Sequence, residues 1–263
     1  MTWADEWRKL VLGSSLRKGG DPFTSREFVE WYDRQLEHNG YPGILLDKVR
    51  SHLNKGSTVL DIGAGTGAFA IPLAQLVKEV MVVEPSPQML ARLGSKMNNL
   101  TNIHLINQRW EDVNIEEVGI HDMIIAAHSL YDIIDIETIL KKMISAAKKH
   151  LYIIMGVGRS DFYADIWQHF KEEYHPPPSF IYAYNVLYEM GILADVEIVQ
   201  TPRSQVYSGI GQAVKHWTAR LDLPSEKEDQ LRAFLRNRLK EREGLLYFEE
   251  KGQTAIIRYE KKC

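Results

Sequence analysis

Val59-Leu60-Asp61-Ile62-Gly63-Ala64-Gly65-Thr66-Gly67 decides how this chain is read. An apolar run bounded by turn residues leads into three alternate glycines, and Ala68 onward continues with helical periodicity. Strand, tight loop and helix is the expected order. The bare positions Gly63, Gly65 and Gly67 let the backbone turn sharply and approach a ligand closely. A dinucleotide fingerprint spaces its glycines as G-x-G-x-x-G and aims helix N–H groups at a pyrophosphate. Here the spacing is G-x-G-x-G, and Asp61 stands just before it. An anion there repels a pyrophosphate and suits an ammonium group. The next apolar run, Val80 to Val83, ends in Glu84, and a carboxylate can accept bonds from both hydroxyls of a ribose.

Outward from this loop, short apolar runs alternate with amphipathic segments. Residues 86–97, 103–107, 122–127, 137–147 and 150–158 continue the alternation. Such a texture is the signature of βαβ units, and near-continuous apolar strands fit a sheet covered on both faces. Residues 2–53 read as helices, with Leu16 to Asp21 as a loop, a capping signal at Thr24 to Glu27, and a third helix from Pro42 to Leu53. After Gly158, helices are expected over Asp161–Tyr174, Ser179–Met190, Gly209–Leu221 and Ser225–Arg242. Strands are expected around Val196–Val199, Leu245–Phe248 and Ala255–Tyr259, the last two flanking a turn at Lys251-Gly252. The expected architecture is a Rossmann-like α/β domain, residues 55–263. It has a seven-stranded, mostly parallel sheet, helices on both faces and a helical insert at about 208–243. An N-terminal helical cap, residues 1–54, precedes it.

Composition narrows the function. The chain has 263 residues, 44% hydrophobic and 25% charged, which is an ordinary globular make-up. With 32 Lys plus Arg against 35 Asp plus Glu, no basic excess exists to grip a phosphate backbone, so no nucleic-acid partner is expected. Cys263 is the only cysteine, which leaves no disulfide framework and no cysteine-based zinc site. A cytoplasmic location is the expectation. The first residues carry Asp5, Glu6, Arg8 and Lys9 and read as an amphipathic helix rather than a signal peptide. No apolar run is long enough for a membrane span. His169, Glu172 and His175 are interrupted by prolines and lack a fourth ligand, so no metal is expected. An apolar helix face could pack internally or against a second subunit, which leaves a homodimer open.

A ribose, an ammonium and no phosphate describe S-adenosylmethionine. The chain resembles the class I S-adenosylmethionine-dependent methyltransferases: VLDIGAGTG is similar to their first motif and VVEPSPQML to their second. The resemblance covers residues 55 to 158 well. It implies that Asp61, Gly63, Ala64, Gly65 and Gly67 contact the methionine part of the cofactor. It further implies that Glu84 holds the ribose and that Pro85 and Met89 lie against the adenine. Family members often carry an acidic residue after the third strand for the adenine amino group. Arg109 stands there in this chain, so Trp110 and Glu111 are the substitutes, or Trp110 simply packs under the sheet edge.

The fourth strand ends at Ala127, and by resemblance the following His128 to Asp132 loop lies near the transferable methyl. It lacks the N/D-P-P-Y/F motif of enzymes that methylate base amino groups. His128 and Tyr131 are the candidate catalytic residues, His128 either as a base or as a polar cofactor contact. The aromatics Trp3, Trp7, Trp31, Tyr32, Phe162, Tyr163, Trp167, Phe170, Tyr174, Phe180, Tyr182, Tyr184, Tyr207, His216 and Trp217 could form an apolar lid over a small acceptor, or be core. Tyr32 is expected to face the cofactor. The implied activity is methyl transfer to a small-molecule acceptor. The alternatives are transfer to RNA or protein, a cofactor-binding regulatory or assembly protein without chemistry, and a nicotinamide oxidoreductase.

Overall fold

Three helices precede the sheet. α1 (Trp3–Gly13) starts at a capping box in which Thr2 and Asp5 satisfy each other's backbone N–H groups. α2 (Arg26–His38) is capped by Ser25, within the predicted signal. α3 (Ile44–Arg50) is shorter than expected. The computed structural model describes residues 2–15, 17, 22–158, 160–171 and 173–262. Most of the loop expected at 16–21, Glu172 and Cys263 lie outside the described residues.

The alternating region folds as β1 (Thr58–Ile62), α4 (Ala70–Ala74), β2 (Glu79–Val83), α5 (Pro87–Lys96), β3 (Ile103–Ile106), α6 (Ile115–Val118), β4 (His121–Ala127), α7 (Ile136–Ala146) and β5 (Ala147–Val157). These five strands pair in parallel. Beyond them come α8 (Asp161–Phe170), α9 (Phe180–Glu189), β6 (Asp195–Tyr207), α10 (Ile210–Leu221), α11 (Glu228–Arg238), β7 (Lys240–Arg242) and β8 (Leu245–Glu260). The strand order is β3-β2-β1-β4-β5-β8-β6, with β8 antiparallel to both β5 and β6. The chain leaves β1 toward β2 and β3 and returns to β4 on β1's other side. That reversal opens a crevice beyond the carboxyl ends of β1 and β4, where open α/β sheets bind ligands.

Two expectations are corrected. The sheet has eight strands rather than seven, because the helix expected to reach Arg242 stops at Arg238 and Lys240–Arg242 pairs back onto Leu245–Tyr247. Glu243 and Gly244, at φ of 53° and 75°, make the intervening turn. The second concerns Lys251-Gly252, which is no turn: β8 runs unbroken through it. A Cβ on Gly252 would stand 2.9 Å from the Thr201 carbonyl oxygen, so this glycine marks a close approach of two strands. The partner β6 is longer than expected and carries Pro202, which an edge strand tolerates.

Three apolar clusters hold the molecule together. One face of the sheet packs against α1, α7 and α9, with Trp7 and Val11 wholly buried and Trp7 Nε1 donating to the Ile133 carbonyl at 2.7 Å. The other face packs against α3, α4 and α5. The third cluster joins α2, α8, α10 and α11 to the far ends of β6 and β8, around Trp31, Phe162, Tyr207 and Trp217. The three N-terminal helices thus go to three different places, and α2 alone joins the third cluster. Many predicted pocket aromatics pack elsewhere: Trp7 is core, exposed Trp3 meets Tyr182 edge-on at 5.7 Å, and the half-buried Phe180 and Tyr184 lie against the first cluster.

Candidate active site

Asp61 ends β1 beneath the glycine loop and is 2% exposed. Its Oδ2 has no hydrogen-bond partner. Burial, reinforced by the nearby Glu84, pushes its carboxyl up to about 7. Gly63 turns away at a φ of 69°, and a Cβ there would collide with Ser129 Cβ at 2.3 Å. Ser129 in turn donates to the Ile62 carbonyl at 2.7 Å, tying the ends of β1 and β4 together. Gly65 also has positive φ, 57°, but nothing lies within 4 Å of its missing side chain, so its backbone borders open space. The Gly67 N–H closes the loop on the Ala64 carbonyl at 2.9 Å.

Glu84 follows β2. Its Oε2 accepts from the Gly65 N–H and its Oε1 from the Ser86 N–H, each at 2.9 Å. The carboxylate therefore braces the glycine loop. Ser86 caps α5 by accepting from the Met89 N–H, and Asn107 Nδ2 donates to the carbonyls of Glu84 and Pro85. Trp110 is buried in the first apolar cluster, with Lys142 over its ring at 4.5 Å and its Nε1 without a partner. Glu111 beside it is exposed.

Ala127 ends β4, and His128 lies beyond it at a φ of 56°. A non-glycine residue in that region costs about 1 to 3 kcal/mol and is held by its surroundings. Here the His128 N–H donates to the Ile154 carbonyl at 2.8 Å. Its Nδ1 lies 3.0 Å from the Tyr131 hydroxyl, which accepts from the Gly156 N–H at 2.8 Å. Burial, with a smaller push from Arg203, holds the imidazole down near 4. Burial raises Tyr131 to about 12. Both rings are therefore neutral at pH 7.

Sequence reasoning missed four residues. Tyr41 has its ring centroid 6.0 Å from His128, and burial raises its hydroxyl pKa, with Tyr32, Asp61 and Tyr131 adding to the effect. Its signal was the Gly40-Tyr41-Pro42-Gly43 turn. Asp33 on α2, 1% exposed, accepts from Thr66 Oγ1 of the glycine loop at 2.5 Å, Arg92 Nε at 2.7 Å and Lys96 Nζ at 2.6 Å. Those donors outweigh burial and hold its pKa below the usual value. Neither Asp33 nor Thr66 stands out in sequence, since the contact spans α2, α5 and the loop. Arg203 on β6 comes to the same space as Tyr131 only through the pairing of β6 with β8. The expected Tyr32 lies next to Asp33 on α2. Its ring is edge-on to Phe23 at 5.5 Å, and burial, with Glu84 adding, raises its hydroxyl to about 12.

A methyltransferase-domain model matches residues 59–150. An uncharacterised Haemophilus influenzae protein is 32% identical over 187 residues, covering 67% of this chain and 66% of its own length. A tRNA1(Val) (adenine(37)-N6)-methyltransferase of Proteus mirabilis is 40% identical over 73 residues, 28% of each chain. The chain therefore spans less than two thirds of either relative. In fold, it is similar to the magnesium protoporphyrin IX methyltransferase of Synechocystis, solved with bound S-adenosylhomocysteine, at a TM-score of 0.55 and 13% identity over 98% of this chain and 93% of that one. Residues 59–150 are thus a methyltransferase domain, and the chain has the fold of a methyltransferase solved with bound S-adenosylhomocysteine. The residues present fit S-adenosylmethionine: a buried, partnerless carboxylate oxygen at Asp61 suits an ammonium, and open space borders Gly65. Among the described residues no metal-binding group of acidic, histidine or cysteine side chains occurs, and no helix is long and apolar enough to cross a membrane.

Proposed function

We propose that this chain transfers the methyl group of S-adenosylmethionine to a small-molecule acceptor in the crevice between β1 and β4. The observation that carries this reading is the Asp61 carboxylate, buried beneath the glycine loop with Oδ2 unpartnered. Bound there, the cofactor would supply a methyl group on a sulfonium, which any aligned nucleophile can take in line. Asp61 would accept the ammonium, with Gly63, Ala64, Gly65 and Gly67 around the methionine part. Glu84 would hold the ribose. Pro85 and Met89, with Trp110 and Glu111, would bound the adenine. Ala127 would border the sulfonium and Tyr32 would close the crevice from α2.

The chain's own contribution is alignment and exclusion of water. An imidazole held near 4 is a poor proton acceptor for a hydroxyl, so His128 and Tyr131 act by positioning the acceptor. The packed aromatic cluster of α2, α8, α10 and α11 would roof the crevice over a small acceptor. The test is transfer of labelled methyl from S-adenosylmethionine into an extract separated into low-mass, RNA and protein fractions. Label in the low-mass fraction is expected. Label confined to RNA or protein overturns the acceptor class, and no label in any fraction favours a binding protein without chemistry.

A further inference from the structure

We propose that the acceptor is a carboxylic acid, gripped by Arg203. This rests on the methyltransferase reading above and names the class of molecule that the same crevice takes.

Three observations carry it. The first is a shared space. A Cβ on Gly156 would stand 3.6 Å from the Tyr131 hydroxyl and 3.9 Å from Arg203 Nη2, so the bare glycine leaves these two groups facing one volume. That volume adjoins His128, which is bonded to Tyr131, and Tyr41, which neighbours His128. It therefore lies beside the carboxyl ends of β4 and β5, next to the cofactor crevice.

The second is a cation held only by a loose ion pair. Arg203 carries five N–H donors in a planar fork. Its side chain is 31% exposed, and Glu250 Oε2 lies 3.7 Å from its Nη1, too far for a hydrogen bond. Glu250 spends its other oxygen on the Phe162 N–H at 3.0 Å. The ion pair thus occupies the Nη1 side, and Nη2 is turned toward Gly156 at the end of β5. Positive charge there is felt by its surroundings: it helps keep His128 neutral and opposes the upward push of burial on Tyr131 and Tyr174.

The third is the lack of a base. His128 and Tyr131 are both neutral at pH 7, which suits a nucleophile or handle that is already an anion. A carboxylate needs no proton removed, matches the guanidinium fork in shape, and brings the charge that Arg203 lacks a close partner for. The surrounding tyrosines, 41, 131, 163 and 174, would flank an aromatic or aliphatic body behind it.

The experiment uses the protein saturated with S-adenosylhomocysteine and a panel of monocarboxylic acids from acetate to indole-3-acetate, each paired with its primary amide. Binding is followed by ligand-observed NMR. At least one acid is expected to bind about tenfold or more tightly than its amide. Arg203→Gln should erase that preference while leaving S-adenosylhomocysteine affinity in place, and Arg203→Lys should keep part of it. If no acid outbinds its amide on the wild-type protein, the proposal is overturned, and that comparison needs no variant to fold. Equal acid binding by folded Arg203→Gln overturns it too. Failure of wild-type protein to bind S-adenosylhomocysteine at all is a different result, which removes the methyltransferase reading itself.

Discussion

At the residue scale, Asp61 and Glu84 are two neighbouring carboxylates whose charges make different demands. Asp61 rises to about 7 from an ordinary 3.8, so its proton is bound more tightly in the folded chain. Its contribution to stability is fully present below 3.8 and is lost as pH rises through 7. Ligand binding reverses the demand, because an ammonium needs the carboxylate. S-adenosylhomocysteine affinity should therefore fall as pH drops below 7, by up to about tenfold per unit, with proton release on binding. Calorimetric titrations in buffers of different ionisation heat check this. Asp61→Asn should weaken binding above pH 7 and flatten the profile, and an unchanged steep profile in that variant would assign the proton to another group. Glu84→Ala removes a carboxylate that braces Gly65 and Ser86 and, in the proposed reading, would hold the ribose. Bonds to charged groups contribute about 1.5 to 3 kcal/mol each. A loss of about tenfold or more in S-adenosylhomocysteine affinity is expected, and unchanged affinity in a folded variant would mean the ribose lies elsewhere.

At the element scale, α2 is the one N-terminal helix that reaches the roof, and Asp33 is what fastens it. The carboxylate accepts from the glycine loop and from two cations on α5. Arg92 and Lys96 keep 36% and 24% exposure, so water can solvate them when the partner is removed, which moderates the loss. Asp33→Ala should cost about 2 to 3 kcal/mol in denaturant unfolding. It should also weaken S-adenosylhomocysteine binding, because Thr66 loses its tether. The same tether bears on whether α2 moves as a lid. If it closes over ligand, amide exchange across residues 26–38 should slow on S-adenosylhomocysteine binding in the wild type, and the protection should shrink in Asp33→Ala. Identical exchange with and without ligand would make α2 a fixed wall.

At the scale of the whole molecule, the proposed ligand site would draw on both halves of the sheet and on the third cluster. A ligand that binds only this folded arrangement must raise the melting temperature by mass action. S-adenosylhomocysteine should do so, and NAD should not, because Asp61 opposes a pyrophosphate at the glycine loop. A thermal shift with NAD and none with S-adenosylhomocysteine would reverse the assignment of the loop.

What the sequence determined by itself is local or periodic. The G-x-G-x-G loop, Asp61, Glu84 and the alternation of apolar runs with amphipathic helices are written in consecutive residues, because backbone sterics and side-chain periodicity act over a few positions. The parallel sheet was legible for that reason, and so were His128 and Tyr131 as neighbours after β4. Only the tertiary structure decided what depends on residues far apart in the chain. It split the three N-terminal helices between two sheet faces and the roof, since each apolar stripe goes to whichever surface completes its burial. It made Gly252 a point of strand contact rather than a turn, through a Thr201 carbonyl 2.9 Å away from its missing Cβ. It joined Asp33 to Thr66, Arg92 and Lys96, and it carried Arg203 to Tyr131 through the long antiparallel pairing of β6 with β8. Charges and hydrogen bonds act at contact distance, and contact between distant segments exists only once the chain has packed.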